Sequence, residues 1–228
     1  MALIEATGLT KQYNTNGVPV EALRNASLSI DAGEFIALMG PSGSGKSTLL
    51  SILGAMNPPT SGKLIVDTIS VYDLTVEMRA DFRHEYLGFV FQQLQLIPYL
   101  SAVENTMLPL AITRRSHKEQ TDMAIWALER VGLADKAARL PDQLSGGEQG
   151  RVAIARAIVN EPPILLADEP TGSLDSRTGQ EVMDLFKSLN EGGLTLIMVT
   201  HNPENAPFAS RVVQIRDGCM IEGVGALR

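Results

Sequence analysis

Eight residues, Gly40-Pro41-Ser42-Gly43-Ser44-Gly45-Lys46-Ser47, match G-x-x-x-x-G-K-[ST], a pattern that wraps a run of phosphates. Its glycines let backbone N–H groups close around phosphate oxygens, Lys46 reaches the outer phosphates, and the Ser47 hydroxyl can ligate Mg2+. Thr48, the next residue, belongs to the same binding set. A second run, Leu144-Ser145-Gly146-Gly147-Glu148, precedes the helical stretch Arg151 to Ile158. Its N–H groups and the positive end of that helix therefore present a second anion site. Ser145 and Glu148 also satisfy a capping box, although capping by itself does not require two successive glycines. Only one carboxylate pair, Asp168-Glu169, suits metal and water chemistry. Two phosphate cradles against one such pair suggest that a phosphate-bearing ligand is shared between two copies of the chain.

The elements that must hold these residues are legible around them. The apolar run Glu34 to Met39 reads as a buried strand feeding the first loop, and Thr48 to Leu53 as the helix that follows it. Asp168 and Glu169 directly follow the apolar strand Ile164 to Ala167, at the carboxyl end where open α/β sheets place their ligands. There Asp168 is assigned to the metal, and Glu169 to the base that deprotonates a water for in-line attack.

Leu3 to Ala6, Ala26 to Ile30 and Gly62 to Val66 read as an antiparallel layer with turns such as Asn16-Gly17. From Ser101 the pattern turns helical, with capping boxes at Ser101/Glu104 and Ser116/Glu119. Ile125, Leu128, Val131 and Leu133 form an apolar stripe around Trp126, read as core. A helix from Thr178 to Asn190 lies between strands Ile164 to Ala167 and Leu194 to Val199, and a short strand near Arg211 to Ile215 closes the pattern. The alternation implies a parallel sheet, and strands apolar at consecutive positions imply helices on both faces.

Composition narrows the classes. At 228 residues, with 44% hydrophobic and 20% charged residues, the chain can build a sizeable core and is not disordered. A net charge of −7 argues against a nucleic-acid partner, and the basic cluster Arg114 to Lys118 reads as a solvated loop. Cys219 is the only cysteine, so no intrachain disulfide is possible and a reducing compartment is expected, with the thiol buried among apolar groups. The N-terminus shows no secretory signal and no run of about 18 apolar residues occurs, so a cytoplasmic protein reaching a membrane only through a partner is expected.

Taken together, the two phosphate motifs and Asp168-Glu169 resemble the Walker A, signature and Walker B motifs of ABC-transporter nucleotide-binding subunits, a resemblance that covers essentially the whole chain. Phe89 to Gln93, Leu96-Ile97-Pro98, Val103-Glu104-Asn105 and Pro170 to Ser176 further resemble the lipoprotein-release and macrolide-efflux group of that family. The resemblance implies a P-loop NTPase of α/β class, with a mostly parallel core sheet, an antiparallel β layer and a helical subdomain insertion. Residues 1–92 and 150–228 would form the core and about 93–149 the insertion. ATP and Mg2+ are the implied ligands. Gln92 becomes the loop glutamine that senses Mg2+ or the attacking water, with Gln93 an adjacent rival. His201 becomes the switch histidine that contacts the γ-phosphate and holds water and Glu169, Asp175 the loop crossing to the partner subunit, and Tyr13 an aromatic that stacks on adenine.

Two chains would then enclose two ATPs, each bound by Lys46 of one copy and by Ser145 and Gly147 of the other. They would work at the cytoplasmic face of the inner membrane, on integral permease subunits seated near Gln92 to Leu100, where Leu94, Leu96, Ile97, Tyr99 and Leu100 suit docking. Gln149-Gly150 and Asn202 depart from the family pattern, Gly150 with the expectation of a looser first turn in the signature helix. The alternative is a soluble or regulatory ATPase of the same type that uses nucleotide as a latch for a non-transport partner. Soluble members usually carry a long coiled-coil insertion or two cassettes in one chain, and neither feature is visible.

Overall fold

In the computed structural model, which describes residues 2–15 and 18–224, the chain opens with two long strands, β1 (Ala2–Thr15) and β2 (Val18–Asp31), paired antiparallel. The expected turn at Asn16-Gly17 lies outside the described residues. Strand β3 (Phe35–Met39) enters a second sheet and delivers the chain to helix α1 (Lys46–Leu53). Strands β4 (Ser61–Val66) and β5 (Ile69–Ser70) return to the first sheet, whose order β2-β1-β4-β5 is antiparallel throughout. Helix α2 (Val76–Tyr86) leads to β6 (Leu87–Val90). Three helices follow, α3 (Ala102–Met107), α4 (His117–Arg130) and α5 (Gly146–Ile158), before β7 (Ile164–Asp168). Helix α6 (Ser176–Glu191) crosses to β8 (Thr195–Val199), and the hairpin β9 (Arg211–Arg216) and β10 (Cys219–Val224) ends the described chain. The second sheet runs β10-β9-β3-β8-β7-β6, parallel except for β10.

The consecutive apolar residues of the central strands sort alternately into two cores, because successive side chains leave a strand on opposite faces. Ile36, Leu38, Leu166, Ile197 and Val199 pack with α1 and the antiparallel layer, while Phe35, Ala37, Leu165, Leu196 and Met198 pack with α4, α5 and α6. Each large side chain so buried contributes about 1.5–3 kcal/mol. The sheet thus fixes the carboxyl ends of β3, β7 and β8 side by side, and those ends carry the phosphate loop, Asp168 and His201.

Capping boxes form at Ser101, Ser116 and Ser145, each worth about 1 kcal/mol to its helix. The inward stripe of α4 comprises Ala124, Ala127 and Leu128, continued by Val131 and Leu133. Trp126 is not core as expected: at about 100° per residue it falls off that stripe, is 36% exposed, and lies under the Arg130 guanidinium, 4.9 Å from its ring centre. Cys219 also differs from expectation, standing exposed on β10, the edge strand of its sheet. Helix α2 and strand β10 were not anticipated; α2 buries only Phe82, so it carries no apolar stripe, although Thr75 caps it.

Gly150 does not break the first turn of α5, which is regular from Gly146 onward. A Cβ at Gly150 would lie 3.9 Å from Leu174 and 4.0 Å from Val182, ordinary contact distances. Gly150→Ala is therefore expected to stabilise the protein by about 0.5–1 kcal/mol. That corresponds to a rise of a few degrees at most in Tm, measurable by thermal unfolding.

Candidate active site

The phosphate loop occupies the step from β3 into α1. Gly45 caps α1 with φ at 105°, and a Cβ there would lie 2.3 Å from the Ala22 carbonyl oxygen, so only glycine can occupy the position. No side chain caps the helix and its first turn holds no acidic residue, which leaves its N–H groups and positive dipole end for an anion. Ser44 Oγ is buried without a hydrogen-bond partner, a further polar group at the loop. Lys46 is buried, and its ammonium donates to the Gly40 and Pro41 carbonyls at 2.8 and 2.9 Å, fastening the loop on itself.

Across a cavity of about 420 Å³ this loop meets the carboxyl ends of β7 and β8: Ser42, Gly43, Lys46 and Ser47 face Gln92, Asp168, Glu169 and His201. Gln92 lines it and its rival Gln93 does not. Ser47 Oγ donates to Asp168 Oδ1 at 3.3 Å. The Asp168 carboxyl is raised above its ordinary range, chiefly by burial and further by the charge of Glu169, against the opposing effects of Ser47 and Lys46. A half-buried carboxylate beside a hydroxyl is a fitting oxygen-ligand pair for a divalent cation.

Glu169 adopts a left-handed backbone, φ 48°, a conformation that costs a non-glycine residue about 1–3 kcal/mol. Contacts from the neighbouring strand end hold it there: its N–H donates to the Val199 carbonyl at 3.0 Å, and His201 Nδ1 lies 2.7 Å from its Oε1. The His201 N–H donates to Oε2 at 3.4 Å. Because a carboxylate only accepts, Nδ1 carries the hydrogen and Nε2 remains for another partner. The 14% exposure of the Glu169 side chain leaves it reachable by water yet shielded, whereas the His201 side chain is 68% exposed.

The second anion motif does not line this cavity. Its capping reading is realised: Ser145 Oγ accepts from the Glu148 N–H at 3.3 Å, and Glu148 Oε2 accepts from the Ser145 N–H at 2.8 Å. The Lys136 ammonium also binds Glu148, and it is the leading reason, ahead of the Ser145 N–H, why that carboxyl is pulled down to about 2. Glu148 is thus committed to the helix end. Gly147 has a packing reason of its own, since a Cβ there would lie 2.1 Å from Thr178 Cγ2 on α6. Gly146 faces no such obstacle, its nearest contact being Leu174 at 3.7 Å. Lys136, twelve residues before Glu148 in a stretch without periodicity, had no local signal in the sequence.

Asp175 and Tyr13, both expected at the site, also stand outside the cavity. Asp175 is the N-cap of α6, accepting from the Thr178 N–H at 3.0 Å and hydroxyl at 2.7 Å. Tyr13 lies opposite Val20 at the far end of the β1–β2 ribbon, accepting a 2.5 Å hydrogen bond from Asn57 under the Lys11 ammonium.

A groove of about 460 Å³ opens on another face, between α2, the end of β6 and α5, lined by Met56, Arg83, Phe89, Phe91, Gln95 and Arg156 among others. Arg156 donates to the Leu94 and Gln95 carbonyls at 2.6 and 2.7 Å, fastening the segment after Gln92 to α5. Tyr99 is 87% exposed, while Leu94, Leu96 and Leu100 are half-buried. Among the described residues no helix is long and apolar enough to cross a membrane.

Residues 23–172 match the model of the ABC transporter family. The chain is 48% identical to the macrolide export ATP-binding/permease protein MacB of Syntrophobacter fumaroxidans, over the whole chain but only 32% of that relative's length. It is 44% identical to the ABC transporter ATP-binding protein YknY of Bacillus subtilis, over 96% of this chain and 95% of that one. Among solved structures it resembles the dimeric ABC transporter cassette MJ0796, with a TM-score of 0.86 and 44% identity over 97% of this chain and all of that one. A post-hydrolysis dimer of MJ0796 bound to ADP and Pi superposes with a TM-score of 0.85 at 43% identity, with the same shares covered. MJ0796 belongs to Methanocaldococcus jannaschii. With the family model spanning 23–172 and relatives of nearly equal length at 44% identity, the chain belongs to the ABC transporter family and is one of its ATP-binding, ATP-hydrolysing cassettes.

Proposed function

We propose that two copies of this chain close around two ATP molecules and that hydrolysis reopens them, driving integral membrane subunits of the export or lipoprotein/peptide-extraction type. One observation carries the reading: the phosphate loop and the Glu169–His201 pair share a cavity, while Ser145 to Glu148 stand outside it. A second copy brings the missing anion site to the open side of the first.

In this reading Lys46 turns its ammonium from the Gly40 and Pro41 carbonyls to the β and γ oxygens of ATP, and the N–H groups of Gly43 to Thr48 surround the phosphates. Mg2+, held by Ser47 and Asp168 with Gln92 beside them, supplies charge neutralisation to the phosphates when bound. Glu169 accepts the proton of a water aligned with the γ-phosphate, and the His201 Nδ1–H holds Glu169 in place. Ser145 and Gly147 of the second copy contact the same γ-phosphate, Asp175 lies where the two copies meet, and Tyr13 stacks on adenine. The helical region of about 93–149 acts as a subdomain that carries the signature against the core of residues 1–92 and 150–228.

The groove lined by Phe89, Phe91 and Arg156 receives a short helix of the membrane subunit, which keeps the cassette peripheral on the cytoplasmic face. Affinity purification of the tagged chain from detergent-solubilised membranes is expected to bring down an integral membrane protein in stoichiometric amount. Recovery with ribosomes or DNA and no membrane protein would remove the transport reading.

A further inference from the structure

Asn205 is a buried amide with a defined pair of partners. It is 5% exposed, within the short 3-10 turn Pro203–Phe208 that follows His201. Its Nδ2 donates to Thr171 Oγ1 at 3.0 Å and to Thr200 Oγ1 at 3.2 Å. Thr171 is the second residue after Glu169, and Thr200, wholly buried, immediately precedes His201. One amide therefore joins the two loops that carry the two members of the 2.7 Å Glu169–His201 contact.

The surrounding bonds make this bridge stiff. Thr200 is pinned at the base of the phosphate loop by its N–H to the Leu38 carbonyl at 3.1 Å, and its hydroxyl also accepts from the Asn202 N–H at 3.1 Å. Thr171 packs against α6, where a Cβ on Gly179 would approach its Cβ to 3.6 Å. The Glu169 N–H to the Val199 carbonyl ties the strand ends, and Asn205 ties the loops beyond them. A position this buried would be filled at lower desolvation cost by an aliphatic side chain, so the amide is explained by what it holds.

We propose that Asn205 is a positioning residue for hydrolysis, setting the spacing of the Glu169 and His201 loops. The proposal rests on the roles given to that pair under the proposed function. Turnover, ATP affinity and the ATP-bound dimer, followed by size-exclusion chromatography with ATP and Mg2+, should be measured for Asn205→Leu, Thr171→Val, Thr171→Ser and Glu169→Gln. Asn205→Leu is expected to lower kcat about tenfold with ATP affinity within about twofold, and to accumulate the ATP-bound dimer because chemistry alone is slowed. Thr171→Val should change in the same direction, while Thr171→Ser, which keeps the hydroxyl, should stay near wild type.

An unchanged kcat per folded molecule in both Asn205→Leu and Thr171→Val overturns the inference. Parallel losses of turnover and ATP affinity with no dimer accumulation overturn it too, since those mark general loosening. If Asn205→Leu does not fold, Thr171→Val decides by the same criteria. Wild-type turnover in Glu169→Gln overturns the functional reading itself, whereas a dead Glu169→Gln beside normal Asn205→Leu and Thr171→Val overturns only this step.

Discussion

Replacing Glu169 by Gln is expected to lower kcat about 10²- to 10⁴-fold while ATP affinity stays within about twofold of wild type. The amide has the shape of the carboxylate and can still accept from His201 Nδ1, so the 2.7 Å contact and the left-handed backbone that presents it survive. What disappears is the carboxylate proposed as the base, beside an Asp168 whose hydroxyl partner and position suit it to a cation instead. A loss of that size corresponds to about 3–5 kcal/mol of barrier. In the proposed reading binding rests on the phosphate loop, Lys46 and the uncapped end of α1, none of which the substitution touches. Phosphate-release kinetics alongside nucleotide titration check both halves, and undiminished turnover would remove Glu169 from the base role.

Mixing two inactive variants is expected to restore activity. Lys46→Met removes the cation of the phosphate loop, and Ser145→Arg places a bulky side chain where the second copy should receive the γ-phosphate. Each variant alone spoils both composite sites of its dimer. A mixed dimer instead holds one site spoiled twice and one site intact. Random pairing in an equal mixture makes about half of the dimers mixed, so about a quarter of all sites are competent if each turns over independently. ATPase activity near a quarter of wild type is therefore expected. The Ser145 change costs its helix a cap, about 1 kcal/mol, which Lys136 and Glu148 leave tolerable by continuing to tie that helix end to the preceding turn. A mixture no more active than its parts would exclude a site built from two chains.

Much of the site could be read locally. The phosphate loop, the carboxylates at a strand's end and the three serine caps each lie within a few residues of one another, where spacing translates directly into hydrogen-bond geometry. The fold followed from the same kind of signal: runs of consecutive apolar residues announced the parallel strands β3, β7 and β8, and they are buried at nearly every position. Helix α2, with one buried residue in eleven, offered no period to find.

By itself, then, the amino-acid order determined which residues could bind phosphate, hold a cation and deprotonate water, because those properties belong to side-chain chemistry and short-range backbone shape. Only the tertiary structure decided how they meet. Glu169 reaches His201 across 32 residues, and Arg156 reaches Leu94 across 62, because the sheet order sets β7 beside β8 and α5 beside the segment after β6. It also decided that Gly147 is small for the sake of Thr178, that Lys46 fastens its own loop, and that Trp126 faces solvent. Those outcomes depend on which surface packs opposite, a quantity fixed by neighbours distant in sequence.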